Sequence, residues 1–123
     1  MNDNHRKEAG VAGEIVALNF LTAKGLQLLL RNYRCRGGEI DLIMLDDATL
    51  ALIEVRLRSN LLYGGAAASV DTRKQRRLTI AARHLLLVKP ELARYRARFD
   101  VVALTPQAGR ETKIEWLRDA FRL

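Results

Sequence analysis

The chain has 123 residues, 49% hydrophobic and 28% charged, a balance that is typical of one globular domain and excludes a disordered chain. The formal net charge is +7 and 16 of the 21 basic residues are arginine, which favours a polyanionic partner because guanidinium groups bind phosphate in a bidentate way. The single cysteine, Cys35, excludes an internal disulfide and a cysteine-based zinc cluster, and we expect no disulfide-linked partner.

The N-terminal part of the chain is predicted to be a polar tail followed by a helix. Residues 1–8 are predicted to form a flexible tail, and residues 9–123 a single domain. The tail lacks the apolar segment of a secretory signal, and no apolar run approaches the roughly 20 residues of a membrane span, so we expect a cytoplasmic protein with no membrane association. Apolar residues at helical spacing predict a helix from Ala9 to Ala23. Glu14 borders its apolar face beside Gly13, which would allow close approach of the backbone.

A strand is predicted from Leu26 to Arg34, and a β-hairpin from Gly38 to Arg58 follows it. The hairpin is apolar apart from carboxylates and arginines at its open end. A two-residue turn at Asp46-Asp47 would place Glu39 opposite Glu54, whereas a four-residue loop would place Asp41 opposite Glu54. Either even register brings the side chains to one face, about 5 to 8 Å apart. An odd-length loop would put them on opposite faces.

The second half of the chain is predicted to contain a helix and two further strands. A loop from Ser59 to Ser69 precedes a helix from Val70 to Val88, which ends before a proline. A strand follows from Arg98 to Leu104, then an edge strand from Lys113 to Trp116 and a docked tail from Leu117 to Leu123. The order α-β-β-β-α-β-β predicts an α/β domain with a mixed sheet of about five strands flanked by helices.

The carboxylates of the hairpin are the first place to look for chemistry. Two carboxylates at this separation repel each other unless a cation lies between them, and oxygen ligands of this kind suit Mg²⁺ or Mn²⁺. Such a metal can activate water and neutralise charge on a phosphodiester. The alternative interpretation is that Glu39, Asp41 and Glu54 simply pair with the nearby arginines.

Several motifs occur in an order that resembles the small bacterial YraN family. They are Gly13-Glu14, Arg31-Asn32-Tyr33-Arg34, Gly38-Glu39-Ile40-Asp41-Leu42-Ile43, Glu54-Val55-Arg56-Leu57-Arg58, Val70 with Lys74, Arg98-Phe99-Asp100-Val101-Val102, Trp116 and Ala120-Phe121. That family is similar to archaeal Holliday-junction resolvases, within the PD-(D/E)XK nuclease superfamily. The resemblance covers nearly the whole chain from Ala9 onwards and implies a restriction-endonuclease-like core.

The resemblance also implies roles for individual residues. Glu14, Asp41 and Glu54 would occupy the metal-binding positions, and Glu39 would assist Asp41 and Glu54. The lysine of the superfamily motif, which orients or deprotonates the attacking water, is replaced by Arg56. An arginine can stabilise a phosphate electrostatically but is a poor general base. Lys74 is a possible substitute for that lysine if the second helix folds back on the sheet.

Three functional hypotheses follow. The leading one is a Mg²⁺- or Mn²⁺-dependent endonuclease acting on duplex or branched DNA, with Asp41, Glu54, Arg56 and Glu14 as catalytic residues. The second is a DNA-binding module with the same fold and impaired catalysis, and the third is a protein-interaction domain without enzymatic activity. By analogy with resolvases, a homodimer is compatible with the first two. The predicted contacts to nucleic acid are Arg34, Arg36, Arg58, Arg73, Lys74, Arg76 and Arg77.

Overall fold

The computed structural model describes residues 3–58 and 70–122, with side chains in the first helix described from Gly10 onwards. Its elements are α1 (Asp3–Ala23), β1 (Gln27–Cys35), β2 (Gly38–Asp46), β3 (Thr49–Leu57), α2 (Thr72–Val88), a 3-10 turn (Pro90–Arg94), β4 (Arg96–Gln107) and β5 (Arg110–Phe121). The predicted order is confirmed. The predicted loop from Ser59 to Ser69 lies outside the described residues. No helix in the described ranges is long and apolar enough to cross a membrane.

The five strands form one mixed sheet in the order β1-β2-β3-β4-β5. Neighbouring strands are antiparallel except β3 and β4, which are parallel. α1 packs on one face of the sheet and α2 on the other, and each face has its own apolar cluster. The central strands are therefore almost continuously apolar, as expected where both faces are covered. This α/β layout agrees with the predicted nuclease-like fold.

The first helix is longer than predicted and buries a different stripe. It begins at Asp3 rather than Ala9, so most of the predicted tail is helical. The sequence before Gly10 contains no glycine or proline, and its polarity predicts exposure without excluding a helix. The buried stripe is Gly13, Ala17 and Leu21, whereas Val11 keeps 51% of its surface exposed. Gly13 does allow the predicted close approach, because a Cβ there would lie 3.3 Å from Leu57 Cδ2 on β3.

The second helix lies directly against the start of the hairpin. Its buried residues include Leu78, Ala82 and Leu85, as its apolar periodicity predicts. A Cβ on Gly38 would lie 2.4 Å from the Arg77 carbonyl oxygen and 2.8 Å from the Ala81 nitrogen, distances that no real side chain tolerates. Gly38 thus lets the helix backbone rest on the beginning of β2. This close packing brings the basic first turns of α2 above the hairpin's open end.

The last two strands are longer than predicted. β4 and β5 meet at a tight turn, and β5 continues through the segment predicted as a docked tail. The cause is a buried polar anchor. Asp100 is fully buried and accepts hydrogen bonds from Trp116 Nε1 at 3.1 Å and from the Asp119 main-chain nitrogen at 3.0 Å. These bonds tie the end of β5 to β4, a tertiary effect that local polarity does not reveal.

Candidate metal and nucleic-acid site

The hairpin register places Asp41 opposite Glu54. Asp46 pairs with Thr49, so the loop contains only Asp47 and Ala48, and Asp47 takes the left-handed conformation that such turns require (φ 53°). The pairing runs from there to Leu42 and Ile53. Continuing this pairing by one position places Asp41 opposite Glu54, which is the register predicted for a four-residue loop. The even register that the site requires is confirmed.

The ladder between β2 and β3 ends where the site begins. Among the described residues, no main-chain pair joins the two strands beyond Leu42 and Ile53, and the Val55 main-chain N–H donates instead to Asp41 Oδ2 at 2.8 Å. The alternation along β2 also changes at this point. Ile40 belongs to the apolar cluster on the face of the sheet covered by α2, whereas Leu42 belongs to the cluster on the face covered by α1. Residues two apart in a strand normally share a face. The irregularity coincides with the point where β2 and β3 separate beside Asp41.

Asp41 and Glu54 form a hydrogen-bonded carboxyl pair. Glu54 keeps only 8% of its surface exposed. Burial and the neighbouring Asp41 charge raise the pKa of Glu54 to about 8, against the opposing charges of Lys74 and Arg56. Burial also raises the pKa of Asp41, while the bond from Val55 counteracts this effect. Because Asp41 already accepts that N–H, Glu54 is the partner that carries the shared proton near neutral pH.

Glu14 approaches the pair from α1. Burial and the charge of Asp41 raise its pKa, and a hydrogen bond with the Asn32 side chain partly offsets this. Asn32 lies on β1 in a left-handed conformation (φ 52°), which is uncommon for a non-glycine residue inside a strand. The carboxylate oxygen Glu14 Oε1 is buried without any hydrogen-bond partner. Such a buried oxygen without a partner, on a side chain that the charge of Asp41 reaches, fits a cation ligand.

Glu39 is placed differently from the other three carboxylates. Its two oxygens pair with Arg34 at 3.7 Å and with Arg77 at 3.8 Å. Within the described ranges, no three acidic, histidine or cysteine side chains are already arranged as a metal-binding group. The structure therefore brings together Asp41, Glu54 and the approaching Glu14, with Glu39 at the side of the site among arginines. Mg²⁺ is often held by one or two carboxylates together with substrate phosphate and water, so two carboxyls suffice.

Two cations face Glu54. Lys74 Nζ on α2 lies 3.6 Å from Glu54 Oε1, and Arg56 Nη1 lies 3.9 Å from the same oxygen. The helix does fold back on the sheet, as the substitute role for Lys74 requires. Arg56 Nε is buried and has no hydrogen-bond partner, so a donor is available at the position of the motif lysine. Glu54 thus faces both the compact ammonium group of a lysine and the planar guanidinium group of an arginine.

The predicted basic residues divide into a cleft and its surroundings. A cleft of about 310 Å³ is lined by Glu39, Glu54, Asp71, Arg73, Lys74, Arg77 and Leu78. Arg34 is the exposed partner of Glu39, and Arg36 is exposed in the turn between β1 and β2. Arg76 is exposed on α2 outside the cleft lining. Arg58 follows β3, and its main-chain N–H bonds the Leu104 carbonyl at 2.7 Å.

Two residues of the site were not singled out from the sequence. Asn32 contacts Glu14 only because its backbone turns within a strand, and no local pattern predicts this. Asp71 caps α2, accepting from the Lys74 main-chain nitrogen at 2.9 Å. An aspartate just before a basic helical run is an ordinary capping signal that could have identified it. The cap fixes the first turn that carries Lys74.

Comparisons with known proteins place relatives of this chain in several bacteria. The model of the uncharacterised protein family UPF0102 matches residues 13–104. A UPF0102 protein of Pseudomonas entomophila is 50% identical over 113 residues, 92% of each chain. UPF0102 proteins of Alcanivorax borkumensis and Saccharophagus degradans are 46% and 47% identical over 116 residues, 94% of this chain and 93% and 94% of their own. The matched region contains Glu14, Asp41, Glu54 and Lys74.

Proposed function

The chain belongs to the UPF0102 family, which confirms the predicted YraN resemblance, and we propose that it is a metal-dependent endonuclease acting on duplex or branched DNA. The observation that carries the proposal is the buried carboxyl pair Asp41–Glu54 beside the unpartnered Glu14 Oε1. Buried carboxyls with raised pKa values are costly and concentrate at functional sites. Here they lie at the edge of a basic cleft, where a negatively charged substrate would approach.

The donor set suits Mg²⁺ or Mn²⁺ as cofactor. All the available ligand atoms are carboxylate oxygens, the ligands that these ions prefer. Asp41 and Glu54 would hold the ion and Glu14 would turn its free oxygen towards it. When bound, the ion would supply Lewis-acid activation of water and charge neutralisation at the phosphodiester. Its binding would displace the proton that the carboxyl pair shares.

The surrounding residues of the chain would position the substrate. Arg56, whose side chain is 31% exposed, would contact a phosphate oxygen and stabilise the charge that develops there. Lys74, held near Glu54 by the capped first turn of α2, would orient the attacking water. Arg73 and Arg77 line the same cleft and would bind the flanking phosphates without reading the bases. We propose a homodimer only for the symmetrical cutting of a junction.

A DNA-binding module without cleavage is the second candidate, and one observation favours it. Glu54 already has two cationic neighbours, Lys74 and Arg56, which would compete with a metal ion for its charge. If this competition prevails, the cleft would bind the phosphate backbone and the carboxylates would serve only to position the basic groups. Both candidates require DNA binding. The third hypothesis, a protein-interaction domain, requires neither DNA binding nor DNA cleavage.

The first test is binding to a four-way junction, measured by mobility shift over a range of salt concentrations. We expect the affinity to fall steeply as the salt concentration rises. In the double variant Arg73→Ala with Arg77→Ala, the slope of the logarithm of the binding constant against the logarithm of the salt concentration should decrease by about one for each phosphate contact that is lost. Arg110→Ala, at the start of β5, is the matched control. The absence of a shift at low salt would exclude both DNA-binding candidates.

The second test separates the two candidates. Labelled junction and duplex DNA are incubated with Mg²⁺ or Mn²⁺, and nicks are resolved on denaturing gels. We expect cleavage that disappears in Asp41→Asn and Glu54→Gln while the mobility shift persists. Binding without nicking at any metal concentration would select the binding module. Crystals soaked in Mn²⁺ should show density between Asp41 and Glu54 if the proposed metal site is correct.

A further inference from the structure

A second and larger cavity lies at the other end of α2. It has a volume of about 570 Å³, within the range of small-molecule sites, and is lined by Thr49, Leu52, Ala82, Arg83, Leu86, Arg96, Ala97, Arg98, Phe99, Asp119, Phe121 and Arg122. Thr49, at the start of β3, lies five residues before Glu54, roughly 17 Å along the strand, and Leu52 is the lining residue of β3 nearest to Glu54. None of its lining residues belongs to the metal and nucleic-acid site.

Apolar and aromatic groups supply one part of this cavity. Leu52 and Leu86 contribute aliphatic surface from the sheet and from α2. The rings of Phe99 and Phe121 stack with their centroids 4.7 Å apart and their planes 15° from parallel. Phe99 is buried, whereas Phe121 is only partly buried. A flat apolar group could pack in the cavity against Phe121, extending this stack.

Four arginines and one aspartate supply the charge. Two of the arginines are neutralised within the chain. Arg98 binds Asp46 at 2.9 Å and Asp100 at 2.8 Å, and Arg122 binds Asp119 at 2.8 Å. Arg83 and Arg96, both exposed, form no ion pair within 4 Å in the described ranges. The charge of Arg96 does act on Asp119, which lines the same cavity. One guanidinium comes from α2 and one from the start of β4, so two cations without an ion-pair partner border the same cavity.

We propose that this cavity binds a nucleotide. The base would pack on the apolar surface with Phe121, and the phosphate would bind Arg83 and Arg96. A planar aromatic base can pack on the apolar surface, and a phosphate can form bidentate hydrogen bonds with the two guanidinium groups. Inorganic phosphate and an uncharged aromatic compound each make only one of these two kinds of contact. The nucleotide could be free or could be the phosphorylated end of a strand. The proposal is independent of the metal site, because it uses no carboxyl of that site.

The test uses the full chain and three probes: deoxyadenosine monophosphate, deoxyadenosine and inorganic phosphate. Binding is measured by isothermal titration calorimetry, and the contacted residues are identified by amide chemical-shift changes. We expect the monophosphate to bind at least tenfold more tightly than either fragment. Arg83→Ala and Arg96→Ala should each weaken it about tenfold or more, whereas Arg110→Ala should not change it. Equal affinity for inorganic phosphate, or equally weakened binding in the Arg110→Ala variant, would overturn the proposal, as would the absence of saturable binding.

Three further measurements identify the source of the ligand and exclude other causes of weakened binding. A short single strand with a 5′-phosphate should displace the monophosphate and bind more tightly if a strand end is the ligand; weaker binding of the strand would assign the site to the free nucleotide. Circular dichroism of each variant excludes unfolding as the cause of weakened binding. Asp41→Asn with Glu54→Gln should leave nucleotide binding unchanged, so failure of the nuclease proposal would be distinguishable from failure of this one. Weaker nucleotide binding in that variant would contradict the independence of the two sites.

Discussion

The main-chain N–H of Val55 donates to Asp41 Oδ2 at 2.8 Å, one residue beyond the end of the ladder that joins the two strands. A side-chain carboxylate thus takes the place of a main-chain acceptor. The bond satisfies an N–H that the opening of the sheet would otherwise leave unpaired, and it orients Asp41 towards Glu54. The contribution of Asp41 to stability and its proposed role in metal binding can therefore be tested separately.

Asp41→Asn and Asp41→Ala should differ in stability but not in cleavage. Asparagine retains an acceptor oxygen for the Val55 N–H, whereas alanine leaves that group unsatisfied at a cost of about 1–3 kcal/mol. Both substitutions remove the charge that the proposed metal site needs. We expect urea denaturation to show the decrease in stability mainly in Asp41→Ala, and nicking assays to show no cleavage by either variant. Equal stability of the two variants would contradict the structural role of the bond.

The metal-free protein should lose stability as the pH rises from about 5 to about 8. The pKa of Glu54 is raised from 4.5 to about 8, so the folded state binds more protons than the unfolded state between these values. The contribution of this group to the unfolding free energy then falls as pH rises through that window. Thermal denaturation should show this decline in the wild type and a flatter profile in Glu54→Gln. An equally steep decline in Glu54→Gln would contradict the assignment.

Added Mn²⁺ should stabilise the protein more at pH 8.5 than at pH 6. Binding must displace the proton shared by Asp41 and Glu54, and this becomes easier as pH approaches the raised pKa of Glu54. The shift in melting temperature on adding the metal, compared at the two pH values, measures the effect. Glu111→Gln, an exposed position on β5, is the control for nonspecific carboxylate binding. If the shift in melting temperature on adding Mn²⁺ is independent of pH, or is lost only in Glu111→Gln, the assignment of Asp41 and Glu54 as the metal ligands is wrong.

Lys74 and Arg56 should have opposite responses to substitution. Lys74→Met removes the only lysine near Glu54 among the described residues, and we expect nicking to fall by about 10²-fold, in the range expected when a group that positions the reactants is lost. Arg56→Lys restores the motif lysine and should raise the rate. Lys113→Met, on β5, is the matched control. Unchanged nicking in Lys74→Met together with no gain in Arg56→Lys would remove both residues from the proposed chemistry.

Gly38→Ala should destabilise the domain by about 1–3 kcal/mol or more, because a Cβ would meet the α2 backbone at 2.4 Å. The helix must then move away from the hairpin, and Lys74 moves with it. Gly10→Ala is the control, because a Cβ there meets nothing within 4 Å and should stabilise α1 by about 0.5–1 kcal/mol. Chemical denaturation of both variants measures the difference. A Gly38→Ala protein as stable as the wild type would contradict the close packing.

The sequence by itself left the register of the hairpin open, but it determined the order of elements and the identity of the carboxylates. These depend on local periodicity, on turn residues and on motifs in a fixed order, all of which are properties of short segments. The extent of β5 was not predictable in this way, because bonds to the buried Asp100 hold its last residues against β4.

Only the tertiary structure decided which charged groups meet. Glu39 and Glu54 are equally acidic in the sequence, yet Glu39 pairs with Arg34 and Arg77, whereas Glu54 shares a proton with Asp41 and faces Lys74. The difference arises because the sheet opens at Asp41 and because α2 can rest on Gly38. Burial and long-range packing determine the partners and the protonation of these side chains, and neither is encoded in the spacing of residues along a strand.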